Sequence, residues 1–251
     1  VTPDSFSDGG QFSRLDHALQ HALQMQKDGA QIIDVGGEST RPGALVVSLD
    51  EELERVIPVI EKIRENTDIA VSIDTSKPEV MQAAIDAGAS MVNDVNALQA
   101  NGAIEVCVKH QVPVCLMHKQ GDPQTMQENP SYVDVVDEIK QYLIERASCC
   151  IKLGLPKEKI IIDPGFGFGK NLKNNLSLLK GINEFCALDF PVLVGVSRKS
   201  MFGQLLGRDV GERLVASTSA AVIAYNNGAR LFRVHDVAET CDALKLCEAV
   251  K

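Results

Sequence analysis

Short runs of β-branched residues recur along this chain, each ending on a polar side chain and each followed by a stretch with helical spacing. The clearest is Ile160-Ile161-Ile162-Asp163-Pro164-Gly165-Phe166-Gly167-Phe168-Gly169-Lys170, which passes from three isoleucines to a carboxylate, a proline and spaced glycines. Three consecutive isoleucines suit a strand buried on both faces, as in a parallel sheet. The glycines then let the following loop bring its backbone close to a ligand. A chain that repeats this unit has few architectures open to it.

The repeats are readable in order. Ile32-Ile33-Asp34-Val35 leads into a polar loop at 36–43, the run 70–73 ends at Asp74, and Met91-Val92 leads to Asn93-Asp94. The run 112–117 delivers His118, 191–196 delivers Ser197-Arg198-Lys199-Ser200, and 231–234 carries Arg233 and leads to His235-Asp236. Between them the spacing predicts helices over 16–27, around 53–63, from Ser76 to about 87, and over 104–109, 132–152, 176–185, 213–227 and 237–250. Ser76-Lys77-Pro78-Glu79 has the capping-box pattern with proline in the first turn. Residues 1–8 read as the remnant of a truncated first strand running into a loop, which brings the count to roughly the eight units that a closed barrel requires.

The expected fold is therefore α/β, a TIM (β/α)8 barrel forming one domain over 1–251. A doubly wound open sheet would usually carry G-x-G-x-x-G after its first strand, and none is present. At 251 residues with 45% hydrophobic content, the chain can bury one substantial core. Seven cysteines, an odd number with no C-x-x-C pair, argue against a disulfide framework or a zinc ribbon and for a reducing compartment. The net charge of -9 disfavours nucleic acid or an anionic membrane as partner. No apolar run is long enough to span a bilayer and no signal-like segment opens the chain, so the expectation is a soluble, cytoplasmic protein.

Glu38, Asp74, Asn93, His118, Asp163, Lys199, Arg233 and His235 all fall at the C-terminal ends of predicted strands. In a barrel those ends converge on one mouth, where residues distant in sequence surround one ligand. Any one of them could merely cap a helix; the set together points to a site. Asp74, Asn93 and Asp163 offer acceptors plus one group that both donates and accepts, and Lys199 is a donor for a ring carbonyl. That combination suits the edge of a pterin or purine better than a sugar. Arg41, Arg233 and His235, with the hydroxyls of Ser39 and Thr40, form a second and cationic group suited to a phosphate or pyrophosphate.

Other chemistries fit less well. The 165–170 glycines and lysine do not have the G-x-x-x-x-G-K-[ST] spacing of a nucleoside-triphosphate loop. His17-x-x-x-His21 has no adjoining acidic ligand and reads as solvated helix surface. No G-x-S-x-G is present, and Ser197 has no evident His/Asp partners, which argues against a serine hydrolase.

The motifs at 1–10 (Val-Thr-Pro-Asp-Ser-Phe-Ser-Asp-Gly-Gly), 36–43 (Gly-Gly-Glu-Ser-Thr-Arg-Pro-Gly), 73–75, 93–94, 117–118, 163–170, 197–200 and 233–237 closely resemble those of the dihydropteroate synthase family, in order and over the whole chain. The resemblance implies a TIM barrel that joins p-aminobenzoate to 6-hydroxymethyl-7,8-dihydropterin pyrophosphate, releasing pyrophosphate in folate biosynthesis. It assigns the pterin to Asp74, Asn93, Met117, Asp163 and Lys199, and the pyrophosphate to Thr40, Arg41, Arg233 and His235 with the help of Mg2+. It assigns p-aminobenzoate, with which sulfonamides compete, to Thr40, Pro42, Phe168, Lys199 and Ser200. Asp74, Lys199, Arg233 and His235 would carry the reaction itself.

The resemblance further implies a homodimer through the late helices and two mobile loops at 1–10 and 38–47. The family's asparagine that helps bind Mg2+ stands just before the position of Val1, so no metal ligand can be named in this sequence. A methyltetrahydrofolate methyltransferase barrel would share the Asp/Asn recognition of the ring, but it has no use for a pyrophosphate group such as Thr40-Arg41 with Arg233 and His235. A catalytically silent pterin binder would differ in releasing no pyrophosphate.

Overall fold

The computed structural model describes residues 11–39, 46–121, 126 and 130–250, with side chains from 15 onward. Its strands are β1 (Ile32–Gly36), β2 (Ala70–Asp74), β3 (Met91–Asp94), β4 (Val114–Met117), β5 (Ile160–Asp163), β6 (Leu193–Val194) and β7 (Leu231–Phe232). β1 to β5 pair in sequence order, every pair parallel, and β6 pairs in parallel with β7. A parallel bridge from Ile162 to Val192 joins the two sheets, so the strands run in one continuous succession. This is the TIM-barrel order of the expected fold. The expected first strand lies within 1–10, outside the described residues.

The central strands β2 to β5 read as they do because both of their faces are covered. β3 and β4 are buried along their whole length, the state in which parallel strands become nearly continuous apolar runs. Their outward side chains meet the helices α1 (Gln11–Lys27), α2 (Leu49–Asn66), α3 (Pro78–Asp86), α4 (Ala103–His110) and α5 (Val135–Lys152) in one large core. Val56, Val59, Ile60 and Ile63 form the buried stripe of α2, and full burial of each such side chain contributes roughly 1.5–3 kcal/mol. Inward-facing Met91, Cys115 and Leu193, backed by Ile161 and Leu231, form a separate small cluster that floors the barrel.

The remaining helices are α6 (Leu172–Lys180), α7 (Ile182–Cys186), α8 (Ser200–Leu206), α9 (Leu214–Asn226) and α10 (Val237–Ala249). Three sequence expectations are corrected here. The single helix expected over 176–185 is two helices broken at Gly181, whose bare backbone lies where a Cβ would stand 3.1 Å from the Val136 side chain. α8 was not expected at all; it spans less than two turns, too short to show periodicity. The capping box at Ser76 does not form, because the Ser76 hydroxyl donates instead to Asp94, 2.6 Å away, and Lys77 becomes the N-cap. Among the described residues no helix is long and apolar enough to cross a membrane, and all seven cysteines are free.

Candidate active site

Strand register brings the first acids together. Gly36 lies beside Asp74, and Asp74 beside Asn93, so the ends of β1, β2 and β3 share one level of the barrel. A Cβ at Gly36 would come within 3.3 Å of the Asp74 side chain, so glycine leaves that carboxylate its room. One layer below, Asp34 accepts from the Ser72 hydroxyl and from Asn93 Nδ2, the latter at 3.2 Å. From the far side, Arg233 follows β7 and spans the opening: its Nε donates to Asp34 at 2.5 Å and its Nη2 to Asp74 at 2.8 Å.

The electrostatics follow from that geometry. Burial pushes the Asp74 carboxyl up to about 7; Arg233 pulls the other way, while Asp34 and Asp94 add to the rise. Arg233 is held above the usual guanidinium range, first by Asp34, with burial opposing and Asp74 assisting. Asp163 at the end of β5 is also raised by burial, although it accepts from the backbone N–H of Gly165 at 2.7 Å. Burial lowers Lys199 to about 8 against the attraction of Asp163. The mouth therefore holds carboxylates that are easily protonated and an ammonium that is easily deprotonated, the signature of groups kept dry for a ligand.

The glycine loop after β5 completes the wall. Gly165 has φ +70°, and a Cβ there would lie 1.9 Å from the His118 carbonyl oxygen, so only glycine lets the β5 loop touch the end of β4. That contact sets Asp163 opposite Met117. It also presents Phe168, whose ring centre lies 4.4 Å from Lys199 Nζ, within cation–π range. His235 lies next to the mouth through Ser197: the Ser197 oxygen accepts from His235 N–H at 3.1 Å and bonds its Nδ1 at 2.9 Å. Ser200 is the exposed first residue of α8, directly after Lys199.

The structure thus brings Asp74, Asn93, Met117, Asp163, Phe168, Lys199 and Arg233 together at the strand ends, and ties His235 to Ser197, two residues before Lys199. Two strand-end residues do not join them. His118 is buried against Lys170, with the Tyr142 ring edge-on at 4.9 Å, and burial together with Lys170 holds it down to about 3. Glu38 turns to Lys77, which also pairs with buried Glu52. Thr40, Arg41 and Pro42 lie outside the described residues. Asp34 is the residue that sequence reasoning missed; its signal was a carboxylate inside an apolar strand run, a position where a charge needs a partner.

No group of three or more His, Cys, Asp or Glu side chains is placed to hold a metal among the described residues. Asp34 and Asp74, on the neighbouring strands β1 and β2, are both engaged by Arg233. These residues do not by themselves fit a resident divalent ion.

Comparison with known proteins converges on one family. The family described as pterin binding enzyme matches residues 1–235. The dihydropteroate synthase of Escherichia coli strain K12 is 53% identical over 249 residues, covering 99% of this chain and 88% of its own. A crystal structure of the Yersinia pestis dihydropteroate synthase with a sulfonamide drug complex superimposes with a TM-score of 0.94 at 49% identity, covering 100% of this chain and 91% of that one. The Xanthomonas albilineans dihydropteroate synthase in complex with 7,8-dihydropteroate gives a TM-score of 0.91 at 45% identity, covering 100% and 90%.

Proposed function

The chain belongs to the dihydropteroate synthase family of pterin-binding enzymes, and from that premise we propose how its mouth performs the family's reaction. The reaction transfers the 7,8-dihydropterin-6-ylmethyl group from its diphosphate ester to the amine of 4-aminobenzoate. The products are 7,8-dihydropteroate and diphosphate. Asp74, Asn93, Asp163 and Lys199 hold the pterin by its N–H donors and carbonyl, with Met117 against the ring face. Arg233 and His235, joined by Thr40 and Arg41, hold the diphosphate. Thr40, Pro42, Phe168, Lys199 and Ser200 line the arylamine pocket.

The observation that carries this assignment is the bridge of Arg233 to Asp34 and Asp74, because it sets the cation for the leaving group against the carboxylate for the ring. With Nε and Nη2 on the aspartates, Nη1 of the same guanidinium is the nitrogen left to meet a phosphate oxygen. As the C–O bond breaks, the dihydropterin delocalises the positive charge on its methylene carbon. Asp74 and Asp163 stabilise that charge more than the neutral ground state, and Arg233 and His235 stabilise the departing diphosphate. The arylamine nitrogen is uncharged near neutral pH and attacks without a strong base. Positioning and electrostatics therefore supply most of the acceleration.

Mg2+ belongs in this proposal with the diphosphate: a small hard cation is commonly held by substrate phosphates and water plus one or two protein ligands. One domain over 1–251, a cytoplasmic location and a homodimer complete the reading. The exposed apolar side chains Val215 and Ile223 on α9 and Leu246 on α10 support the dimer. The test is diphosphate release with and without 4-aminobenzoate and Mg2+. Release that depends on the arylamine supports the assignment, and release indifferent to it, or none, refutes it.

A further inference from the structure

Lys170 is almost completely buried, at 2% exposure, yet its three hydrogen-bond partners are all uncharged. Its Nζ lies 3.0 Å from His118 Nδ1, 3.2 Å from the His118 carbonyl oxygen and 2.9 Å from the Phe168 carbonyl oxygen. Desolvating an ammonium costs several kcal/mol, and a methionine would fill the same space without that cost. Burial holds the Lys170 amine well below the usual lysine range; what this nitrogen supplies and methionine cannot is one polar atom that bonds the His118 ring, the His118 carbonyl and the Phe168 carbonyl together.

Those acceptors sit on both sides of a close backbone contact. The β5 loop touches the β4 end at Gly165, and a Cβ at Gly169 would fall 2.3 Å from the Gln120 carbonyl oxygen. Other parts of the loop have their own supports: Asn175 accepts from Gly167 N–H at 2.8 Å, and the Tyr132 hydroxyl donates to the Gly169 carbonyl at 2.9 Å. The Phe168 peptide carbonyl is held by Lys170, while the ring of the same residue faces Lys199.

We propose that Lys170 is a positioning residue for the arylamine: by clamping the Phe168 carbonyl to the end of β4, it fixes the Phe168 ring and the Lys199 ammonium over that ring. This rests on the assignment of Phe168 and Lys199 to the arylamine pocket. Lys170 itself touches neither substrate.

The test compares the full chain with Lys170→Met, reading each substrate separately. The expected result is a rise of about tenfold or more in KM for 4-aminobenzoate, since a displacement of about 1 Å in a positioning group can cost up to a hundredfold. Affinity for the pterin diphosphate, by calorimetry, should change less than about threefold on the same scale. In a Phe168→Ala background, Lys170→Met should add less than about twofold, because the residue through which it acts is gone. His118→Leu removes one of the three acceptors and should move the same KM in the same direction by less; it decides the matter if Lys170→Met does not fold. Equal losses for both substrates, full additivity with Phe168→Ala, or an unmoved KM would overturn the proposal. Failure of the unmodified chain to release diphosphate in response to the arylamine would instead overturn the reaction assignment.

Discussion

The two halves of the mouth are built on opposite plans. β1 to β5 carry buried acceptors on mutually paired strands, with Asp74 in register with both Gly36 and Asn93, and Asp163 with Met117. β6 and β7 are two residues each; β7 delivers Arg233 beyond its end with a side chain 47% exposed while that of Asp74 is 8% exposed, whereas Lys199, beyond β6, is buried with the acids. Under the proposed assignment the difference follows from the two ligands. A neutral flat ring is distinguished only by where its donors and acceptors lie, so its partners need rigid, dry backbone. A diphosphate attracts cations from any direction, and a looser frame suffices.

The largest test of this contrast is Asp163→Asn, which sets an amide N–H against a ring donor in the dry half. It should weaken pterin binding about a thousandfold by calorimetry, and near-normal affinity would place the ring elsewhere. Arg233→Met comes next. It removes the cation facing the leaving group and should lower kcat/KM for diphosphate release about a hundredfold, with pterin binding less affected than in Asp163→Asn. Equal effects of the two variants on ring binding would erase the division between the halves.

A third test asks whether burial or Arg233 governs Asp74. With its carboxyl raised to about 7, the substrate-free fold keeps a proton there that the unfolded chain has already released. Stability from this group is full below the ordinary carboxylate range and is lost as pH rises through about 7. Between about pH 5 and pH 8, the unmodified chain should lose about 3 °C or more in Tm relative to Asp74→Asn; parallel curves would mean that the arginine wins. The smallest effect belongs to Ser197→Ala, which removes the oxygen bonded by the His235 N–H and Nδ1 and should lower kcat about threefold without changing ring affinity, the size of effect that modest hydrogen bonds allow. A large loss there would show that the cationic half is as finely set as the other.

Most of the fold was legible because burial on both faces leaves a plain mark: apolar strand runs ending on polar residues. Asp74, Asn93, Asp163, Lys199 and Arg233 could be found by that mark alone. What escaped had local signals that tertiary structure overrode. Ser76 has a capping pattern, but buried Asp94 competes for its hydroxyl. His118 ends a strand as the site residues do, yet β4 hands it to Lys170 and the tyrosines, and nothing in a strand run tells which way its last side chain turns. Asp34 sits inside the run and not at its end, where an inward carboxylate has no mark until Arg233 arrives from β7, nearly two hundred positions away in the chain. α8 is simply too short for a period to register.

The separation of the barrel interior from the outer core also bears on how the protein survives without substrate. Among the described residues, Met91, Cys115 and Leu193 with Ile161 and Leu231 plug the interior from below, and above them lie carboxylates that burial disfavours. Under the proposed assignment a bound pterin finishes this plug, adding a flat apolar surface and further donors to those that Arg233, Asn93 and Lys199 already supply. A pterin that binds only the folded chain would therefore stabilise it by mass action, and the melting temperature should rise with pterin concentration.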